Sequence, residues 1–193
     1  MRVAGVGETV AQRKVIQEVK EPMLSIREAE KSDLEAITEI YNEAVLTTNS
    51  TFDICTKSVT EQEPWYEDHG PKYPLIVAVF EGRVVGWASM SKYSDKGGYS
   101  KTAELSIYIK EAYRSRGFGK QLFEAIIERG KEAGLHTVIS RITSENKASI
   151  YLHELAGFAN IGVMKEVGVK NGVLLDVCLM QLIYPEADDD PAG

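Results

Sequence analysis

The sequence predicts an α/β domain with a mixed central sheet flanked by helices. Segments with the two-residue alternation of strands are interspersed with segments whose apolar residues recur at spacings of three and four, in the order β-α-α-β-β-β-α-β-α-β-β. The chain of 193 residues is 44% apolar and 26% charged, as is usual for a globular protein. Residues 24–184 contain no internal repeat and no linker, so we expect a single domain there.

The first half of that domain begins with a strand and contains two helix-start signals. Ser32 and Glu35 have the spacing of a capping box, as do Ser58 and Glu61, and an apolar pattern follows each pair. The tripeptide at 81–83, which contains a glycine, is typical of a hairpin. These signals predict strands at 24–28, 75–80 and 84–91 and helices at about 34–47 and 58–69.

The second half alternates strands with two further helices. Strict alternation in the strand 102–109 places Ala103, Leu105, Ile107 and Ile109 on one face and Thr102, Glu104, Ser106 and Tyr108 on the other. The apolar face belongs to the core, and the polar face could line a cleft. The same reasoning predicts strands at 136–142, 158–167 and 172–182 and helices at 117–133 and 146–156.

The charge balance excludes several classes of partner. Lys and Arg total 22 against 29 for Asp and Glu, a net charge of -7, which disfavours binding to nucleic acid or to an anionic membrane. No apolar run approaches the roughly 20 residues that span a bilayer. The first residues carry charges where a signal peptide needs an apolar core, so we expect a cytoplasmic protein.

Neither the chain ends nor the cysteines are predicted to contribute to a functional site. We expect residues 1–23 to form an N-terminal extension and residues 185–193 to form an acidic, disordered tail. Cys55 and Cys178 lie far apart, with no CxxC motif and no Cys/His cluster. The sequence therefore predicts neither a disulfide nor a metal site.

A cationic, glycine-containing patch departs from this acidic average. Gly117 and Gly119 stand where a strand gives way to a helix, and Arg114, Arg116 and Lys120 surround them. A helix N-terminus presents unpaired N–H groups, and glycine allows a phosphate to approach the backbone. The patch matches neither a P-loop nor the dinucleotide fingerprint, which would require other residues at 114, 121 and 122. The sequence therefore predicts a pyrophosphate-binding loop of a different kind.

The run Arg114-Ser115-Arg116-Gly117-Phe118-Gly119 follows the pattern Q/R-x-x-G-x-G/A and resembles the coenzyme A loop of the GCN5-related N-acetyltransferases (GNAT). The segments 40–45, 50–53, 99–109 and 152–158 look like the phosphinothricin acetyltransferase subfamily. The resemblance extends over residues 24–184. It implies the GNAT acyl-CoA N-acyltransferase fold, acetyl-CoA as co-substrate and no metal.

The resemblance also implies which residues hold acetyl-CoA. The backbone of the strand before the loop pairs with the pantetheine arm, and an N–H near Ile107 polarises the thioester carbonyl. The pyrophosphate rests on the loop amides, and Asn146, with Ser149 on the same helical face, meets the pantetheine. The expected cofactor-binding residues are Ile107, Tyr108, Ile109, Arg114, Ser115, Arg116, Gly117, Phe118, Gly119, Lys120, Asn146 and Ser149.

Two residues are expected to be catalytic. Glu104 matches the acidic residue that the subfamily uses as general base, through a water; the alternative is a surface pair with Lys101. His153 stands where most of these acetyltransferases have a tyrosine that protonates the departing thiolate. An imidazole could donate that proton, or it could be a structural residue packed against Phe158.

The acceptor is expected to be a small amino acid or an analogue. Phe52, Lys96, Tyr99 and Ser106 are the expected acceptor-binding residues, with Lys96 meeting a carboxylate or phosphinate and Tyr41 and Trp65 as further possible walls. The loop 94–98 departs from the subfamily pattern, which argues against phosphinothricin itself. Alternatives are a polyamine, a protein amine, or a non-catalytic acyl-CoA sensor. The resemblance also implies a homodimer, with the final hairpin 158–182 as the interface.

Overall fold

The computed structural model describes residues 23–185, and the predicted element order is confirmed there. The predicted extension and tail lie outside the described residues, apart from Met23 and Pro185. The strands are β1 (Ser25–Glu28), β2 (Leu75–Phe80), β3 (Arg83–Lys92), β4 (Thr102–Ile109), β5 (Thr137–Thr143), β6 (Ala159–Lys170) and β7 (Val173–Ile183). The helices are α1 (Leu34–Thr47), α2 (Val59–Glu67), α3 (Phe118–Glu132) and α4 (Lys147–Leu155).

The strands form one mixed sheet in the order β1-β2-β3-β4-β5-β7-β6. Its neighbouring strands are antiparallel except for β4 and β5, which are parallel. Within the described residues, β4 and β5 pair only where Thr102 to Glu104 face Thr137 to Ile139. Beyond Glu104 the two strands separate while each stays paired with its other neighbour, so the sheet opens at its centre.

Apolar clusters cover both faces of the sheet. On one face α3 buries Leu122, Phe123 and Ile126 against the sheet, and the predicted apolar face of β4 packs here. On the other face α1 contributes Ile37 and Ile40 to a second cluster. Two helical layers therefore enclose the sheet, and the opening between β4 and β5 joins the two sides.

One of the two predicted capping boxes is confirmed. Ser58 Oγ accepts from the backbone N–H of Glu61 at 3.3 Å, and the Glu61 carboxylate accepts from the N–H of Ser58 at 2.7 Å. The box predicted at Ser32 and Glu35 is wrong, because the 3₁₀ turn Lys31–Asp33 precedes α1 and starts the helical path earlier.

A partly buried ion pair replaces the predicted box at the start of α1. The Asp33 carboxylate accepts from the N–H of Glu30 at 2.8 Å and from both terminal nitrogens of Arg27 at 2.6 and 2.9 Å. Burial by itself would raise the pKa of Asp33, but these hydrogen bonds and the charge of Arg27 outweigh it and lower the pKa. Arg27 on β1, six residues before Asp33, thus holds the carboxylate at this helix start.

Candidate active site

A cavity of about 660 Å³ occupies the opening between β4 and β5. Its walls come from β4, from β5, from the start of α4, from the loop 50–53 and from β6. Glu104 and Ser106 lie on the β4 wall, as the alternation predicts. The cavity therefore combines side chains from both faces of the sheet around exposed strand backbone.

The start of α3 has the geometry of an anion site. Gly117 is the residue before the helix, with φ of 80°, and a Cβ built there would meet no atom within 4 Å. The first helical N–H groups, from Phe118 onwards, have no acceptor within the helix itself. Space above Gly117 and a set of donors beneath it fit a pyrophosphate, which is the group that acetyl-CoA would place there.

The three predicted cations lie around this helix start. Arg114 Nε donates to the carbonyl of Ile109 at 3.0 Å, so this side chain also fixes the end of β4. The guanidinium of Arg116 lies 5.2 Å from the ring centroid of Tyr113, and Lys120 is exposed. The loop thus keeps positive charge beside the helix N-terminus, although one of its cations, Arg114, also holds the end of β4.

The backbone of β4 beyond Glu104 is available on one side. Ile107 and Ile109 pair with β3, and Ile107 and Tyr108 line the cavity. Asn146 and Ser149 line it as well, and Asn146 Oδ1 accepts from the N–H of Ser149 at 3.1 Å. This cap uses only the carbonyl oxygen of the Asn146 side chain, so its NH₂ group can serve a ligand.

Glu104 forms a bidentate ion pair inside the cavity. Its two carboxylate oxygens accept from Nε and Nη2 of Arg141 at 2.6 and 2.5 Å, so its partner is Arg141 rather than Lys101. The hydrogen bond and charge of Glu104 raise the pKa of Arg141. Sequence reasoning missed Arg141, although it is the only charged residue of β5.

His153 is a neutral, buried imidazole. Only 2% of the residue is exposed, and its ring lies against Phe123 and Phe158. Nδ1 lies 2.7 Å from the carbonyl of Ser149, so this nitrogen carries the hydrogen, and Nε2 accepts from the Ser140 hydroxyl at 2.9 Å. Burial lowers the pKa of His153 to about 4.

Aromatic residues form the wall opposite β4 and β5. Tyr41, Phe52 and Trp65 line the cavity. The Tyr41 hydroxyl donates to Asp53 at 2.6 Å, and burial together with this bond raises the pKa of Tyr41 to about 12. Gly168 allows the Phe52 ring to lie directly against β6, because a Cβ there would be 2.3 Å from the ring.

Two of the expected acceptor-binding residues lie elsewhere. Within residues 23–185, Lys96 and Tyr99 are absent from the cavity wall. Tyr99 belongs to a 3₁₀ turn and packs against Tyr93, with ring centroids 5.3 Å apart. Their role in acceptor binding stays a prediction, and the cavity geometry gives it no support.

Among residues 23–185, none of the helices has the length and apolar character needed to cross a membrane. The described side chains also contain no group of three or more His, Cys, Asp or Glu residues placed to hold a metal ion.

Comparison with known proteins identifies the family. Residues 26–179 match the family model described as an acetyltransferase (GNAT) domain. An L-methionine sulfoximine/L-methionine sulfone acetyltransferase of Salmonella typhimurium is 38% identical, over 84% of this chain and 96% of its own. The L-amino acid N-acyltransferase MnaT of Escherichia coli is 35% identical, over 88% of this chain and 99% of its own.

Solved structures give the same result. The structure of yncA from Salmonella typhimurium with its cofactor acetyl-CoA has a TM-score of 0.82 and 37% identity, covering 88% of this chain and 99% of that one. A GNAT superfamily phosphinothricin acetyltransferase from Sinorhizobium meliloti in complex with acetyl-CoA has a TM-score of 0.81 and 34% identity, covering 86% and 90%.

These matches extend from β1 into β7 and include every strand that borders the cavity. The predicted fold and the resemblance to the phosphinothricin acetyltransferase subfamily are confirmed, and so is acetyl-CoA as co-substrate. This chain therefore belongs to the GNAT family and is an acetyl-CoA-dependent N-acetyltransferase.

Proposed function

We propose that the protein acetylates the α-amine of a small amino acid or amino-acid analogue, in the class that includes methionine sulfone, methionine sulfoximine and phosphinothricin. The observation that carries this proposal is the position of Glu104, on the cavity wall at the point where β4 leaves β5. Relatives with 35% and 38% identity are named for acyl transfer to amino acids of this kind.

The binding steps follow from the backbone. The N–H groups at the start of α3 hold the pyrophosphate, and the open edge of β4 at residues 107–109 pairs with the pantetheine arm as an added strand. An N–H of this edge, near Ile107, donates to the thioester oxygen and stabilises the oxyanion. Acetyl-CoA supplies an electrophilic carbonyl and a thiolate leaving group that takes up the second amine proton.

The proton-transfer step is assigned to Glu104. An amino acid enters as an ammonium ion, and attack on a carbonyl needs the free amine. Glu104 accepts the first ammonium proton at a carboxylate oxygen, directly or through one water. Ser106 and the aromatic wall confine the acceptor beside it.

The contacts of His153 support a positioning role. Its only ring hydrogen is directed at the Ser149 carbonyl, and Nε2 is an acceptor for Ser140. With a pKa of about 4 the ring has no second proton to give near neutral pH. We therefore assign His153 a positioning role: it holds α4 against β5, so that Asn146 and Ser149 face the cavity.

A thiol-release assay tests the proposal. Acetyl-CoA is combined in turn with methionine sulfone, methionine sulfoximine, phosphinothricin, ordinary amino acids and polyamines, and we expect turnover with amino-acid analogues. Glu104→Gln should lower kcat roughly 100-fold with the KM for acetyl-CoA unchanged, because general-base catalysis contributes about that factor. Glu35→Gln, an exposed change on α1, is the control.

Three results would contradict the proposal or its assignment of the base. Turnover of polyamines with none of any amino-acid analogue would mean a different acceptor class. Binding of acetyl-CoA without acetylation of any amine would favour the sensor alternative. Full activity of Glu104→Gln would remove Glu104 as the base while leaving the acceptor class to the panel.

We further propose that the protein is a homodimer formed through β6 and β7. We define the hairpin patch as six exposed apolar residues of these two strands: Ile161, Val163, Val167, Val169, Val173 and Leu174. Exposed apolar surface of this kind marks an interaction site. A second copy would cover it.

A further inference from the structure

The cavity contains a guanidinium to which the acetyl-transfer steps above give no role. Arg141 projects from β5 into the opening, and 58% of its side chain is exposed there. It donates two hydrogen bonds to Glu104, through Nε and Nη2. A guanidinium has five N–H donors in a planar fork, so three remain for another partner.

We propose that Arg141 binds the α-carboxylate of the acceptor, and that the acceptor ammonium takes the place of Arg141 at Glu104. The inference rests on the proposed function, because it names the residue that selects the acceptor of that same site. Arg141 is thus a specificity-determining residue, and Glu104 keeps its assignment as the base.

Charge complementarity supports this assignment. A free amino acid carries an ammonium and a carboxylate on the same carbon, and Glu104 and Arg141 present one anion and one cation side by side. When the acceptor binds, the Glu104–Arg141 pair is replaced by two pairs, Glu104 with the ammonium and Arg141 with the carboxylate. No charge in the cavity is left unpaired, which limits the desolvation cost of binding. A simple amine or a polyamine lacks the carboxylate, so it must compete with Arg141 for Glu104.

The positions of the two residues suit a small zwitterion. Glu104 lies opposite Ile139, so Arg141 stands one strand period further along β5 on the same side. Both side chains project from strands that are held by the sheet, and a planar fork matches a carboxylate bidentately. An acceptor held by both would place its amine beside Glu104, near the open edge of β4.

Other cations near the cavity are committed to other partners. Lys57 also lines the wall, but its Nζ lies 2.9 Å from Asp53 and 5.3 Å from the centroid of the Tyr41 ring. Lys170 is 3% exposed and donates to a backbone carbonyl of the loop 50–53 at 2.8 Å. Arg141 is the cation that shares the catalytic carboxylate.

The test compares one acceptor with its uncharged form. Acetylation of L-methionine sulfone and of its α-carboxamide is measured with wild type, Arg141→Gln, Arg141→Lys and Lys57→Gln. We expect wild type to prefer the acid roughly 100-fold in kcat/KM, the order expected for a charge-assisted bidentate contact. Arg141→Gln should lose most of this preference by losing activity on the acid alone, and Arg141→Lys should keep part of it.

Lys57→Gln is the matched control, since it removes a cation from the opposite wall. It should retain the wild-type preference, and all variants should keep the wild-type KM for acetyl-CoA. Because Arg141 is exposed, its variants should also keep the wild-type unfolding temperature.

Four results would overturn the inference. If Arg141→Gln lowered kcat/KM equally for L-methionine sulfone and for its α-carboxamide, Arg141 would act only by holding Glu104. An unchanged preference in Arg141→Gln would show that the carboxylate binds elsewhere, and a preference lost in Lys57→Gln instead would identify Lys57 as its receptor. If wild type binds acetyl-CoA but acetylates neither compound, the proposed function fails and the inference fails with it.

Discussion

His153 shows how a single buried residue links the site to stability. Its ring is enclosed by Phe123 and Phe158, and its nitrogens lie against the Ser149 carbonyl and the Ser140 hydroxyl. In the unfolded chain the same imidazole has a pKa near its ordinary value of 6.5, against about 4 when folded. Folding therefore expels a proton at mildly acidic pH.

The consequence is a defined loss of stability in acid. As pH falls from about 6.5 to 4, the unfolded state binds a proton that the folded state does not, so the free energy of unfolding decreases. The difference between the two pKa values of His153 corresponds to about 3 kcal/mol in the free energy of unfolding, at 1.36 kcal/mol per pKa unit. Denaturant unfolding of wild type and His153→Gln across this range should show wild type losing about that much more.

The control for this prediction is His136→Gln, which changes an exposed histidine. It should follow the wild-type pH dependence. If His153→Gln also follows it, the ring is protonated in the folded state, and the general-acid alternative for His153 regains support.

The residues of the site differ in how far sequence could predict them. Glu104 and Ser106 follow from the alternation of β4, which is a local signal. Arg141 does not, because its contact with Glu104 depends on the parallel register of β4 and β5, and these strands are 27 residues apart between Ile109 and Thr137. Lys96 was expected at the cavity because its loop precedes β4, but a loop direction has no periodic signal.

At the scale of elements, the same distinction holds between local and long-range causes. The bounds of β4 are the predicted ones because eight alternating residues specify them. The capping box at Ser58 is also local, since its donors and acceptors lie within four residues. The capping box predicted at the start of α1 was wrong because Arg27, on β1, holds Asp33, although the helix begins at the predicted residue.

The start of α3 offers a prediction at this scale. Gly117 before the helix and Gly134 after it both have positive φ, 80° and 72°, and a Cβ on either would meet no atom within 4 Å. Alanine at either position should cost about 1 kcal/mol of stability, because the left-handed conformation is strained for a residue with a Cβ. Only at Gly117 would the added methyl group occupy the proposed pyrophosphate site.

Comparison of Gly117→Ala with Gly134→Ala separates the effect of backbone strain from the exclusion of acetyl-CoA. Gly117→Ala should raise the KM for acetyl-CoA at least tenfold, whereas Gly134→Ala should leave it unchanged at a similar loss in unfolding temperature. Equal KM values in the two variants would mean that the backbone at Gly117 does not contact the cofactor.

At the scale of the whole molecule, net charge and local charge act differently. The chain carries -7, yet Arg114, Arg116 and Lys120 surround one helix N-terminus. A bound pyrophosphate senses these groups because exposed charges beyond about 10 Å are screened by salt. Part of the negative charge also belongs to the sequence 186–190, which contains one Glu and three Asp.

The exposed edge of the sheet at β6 bears on whether the whole molecule associates with a second copy. Strand β6 has 12 residues and stands last in the strand order, so one of its backbone edges has no neighbouring strand within the described sheet. The hairpin patch adds exposed apolar side chains along the same hairpin. Long apolar edge strands promote association unless they are covered.

We therefore expect the chain of 21.4 kDa to behave as a dimer of about twice that mass in size-exclusion chromatography with light scattering. The double variant Ile161→Lys with Val163→Lys should be a monomer, because an apolar interface would have to bury two unpaired ammonium groups. Lys165→Gln, which removes an exposed charge from the same strand, should stay dimeric. A monomeric wild type, or a double variant that keeps the dimer mass, would place the interface elsewhere or remove it.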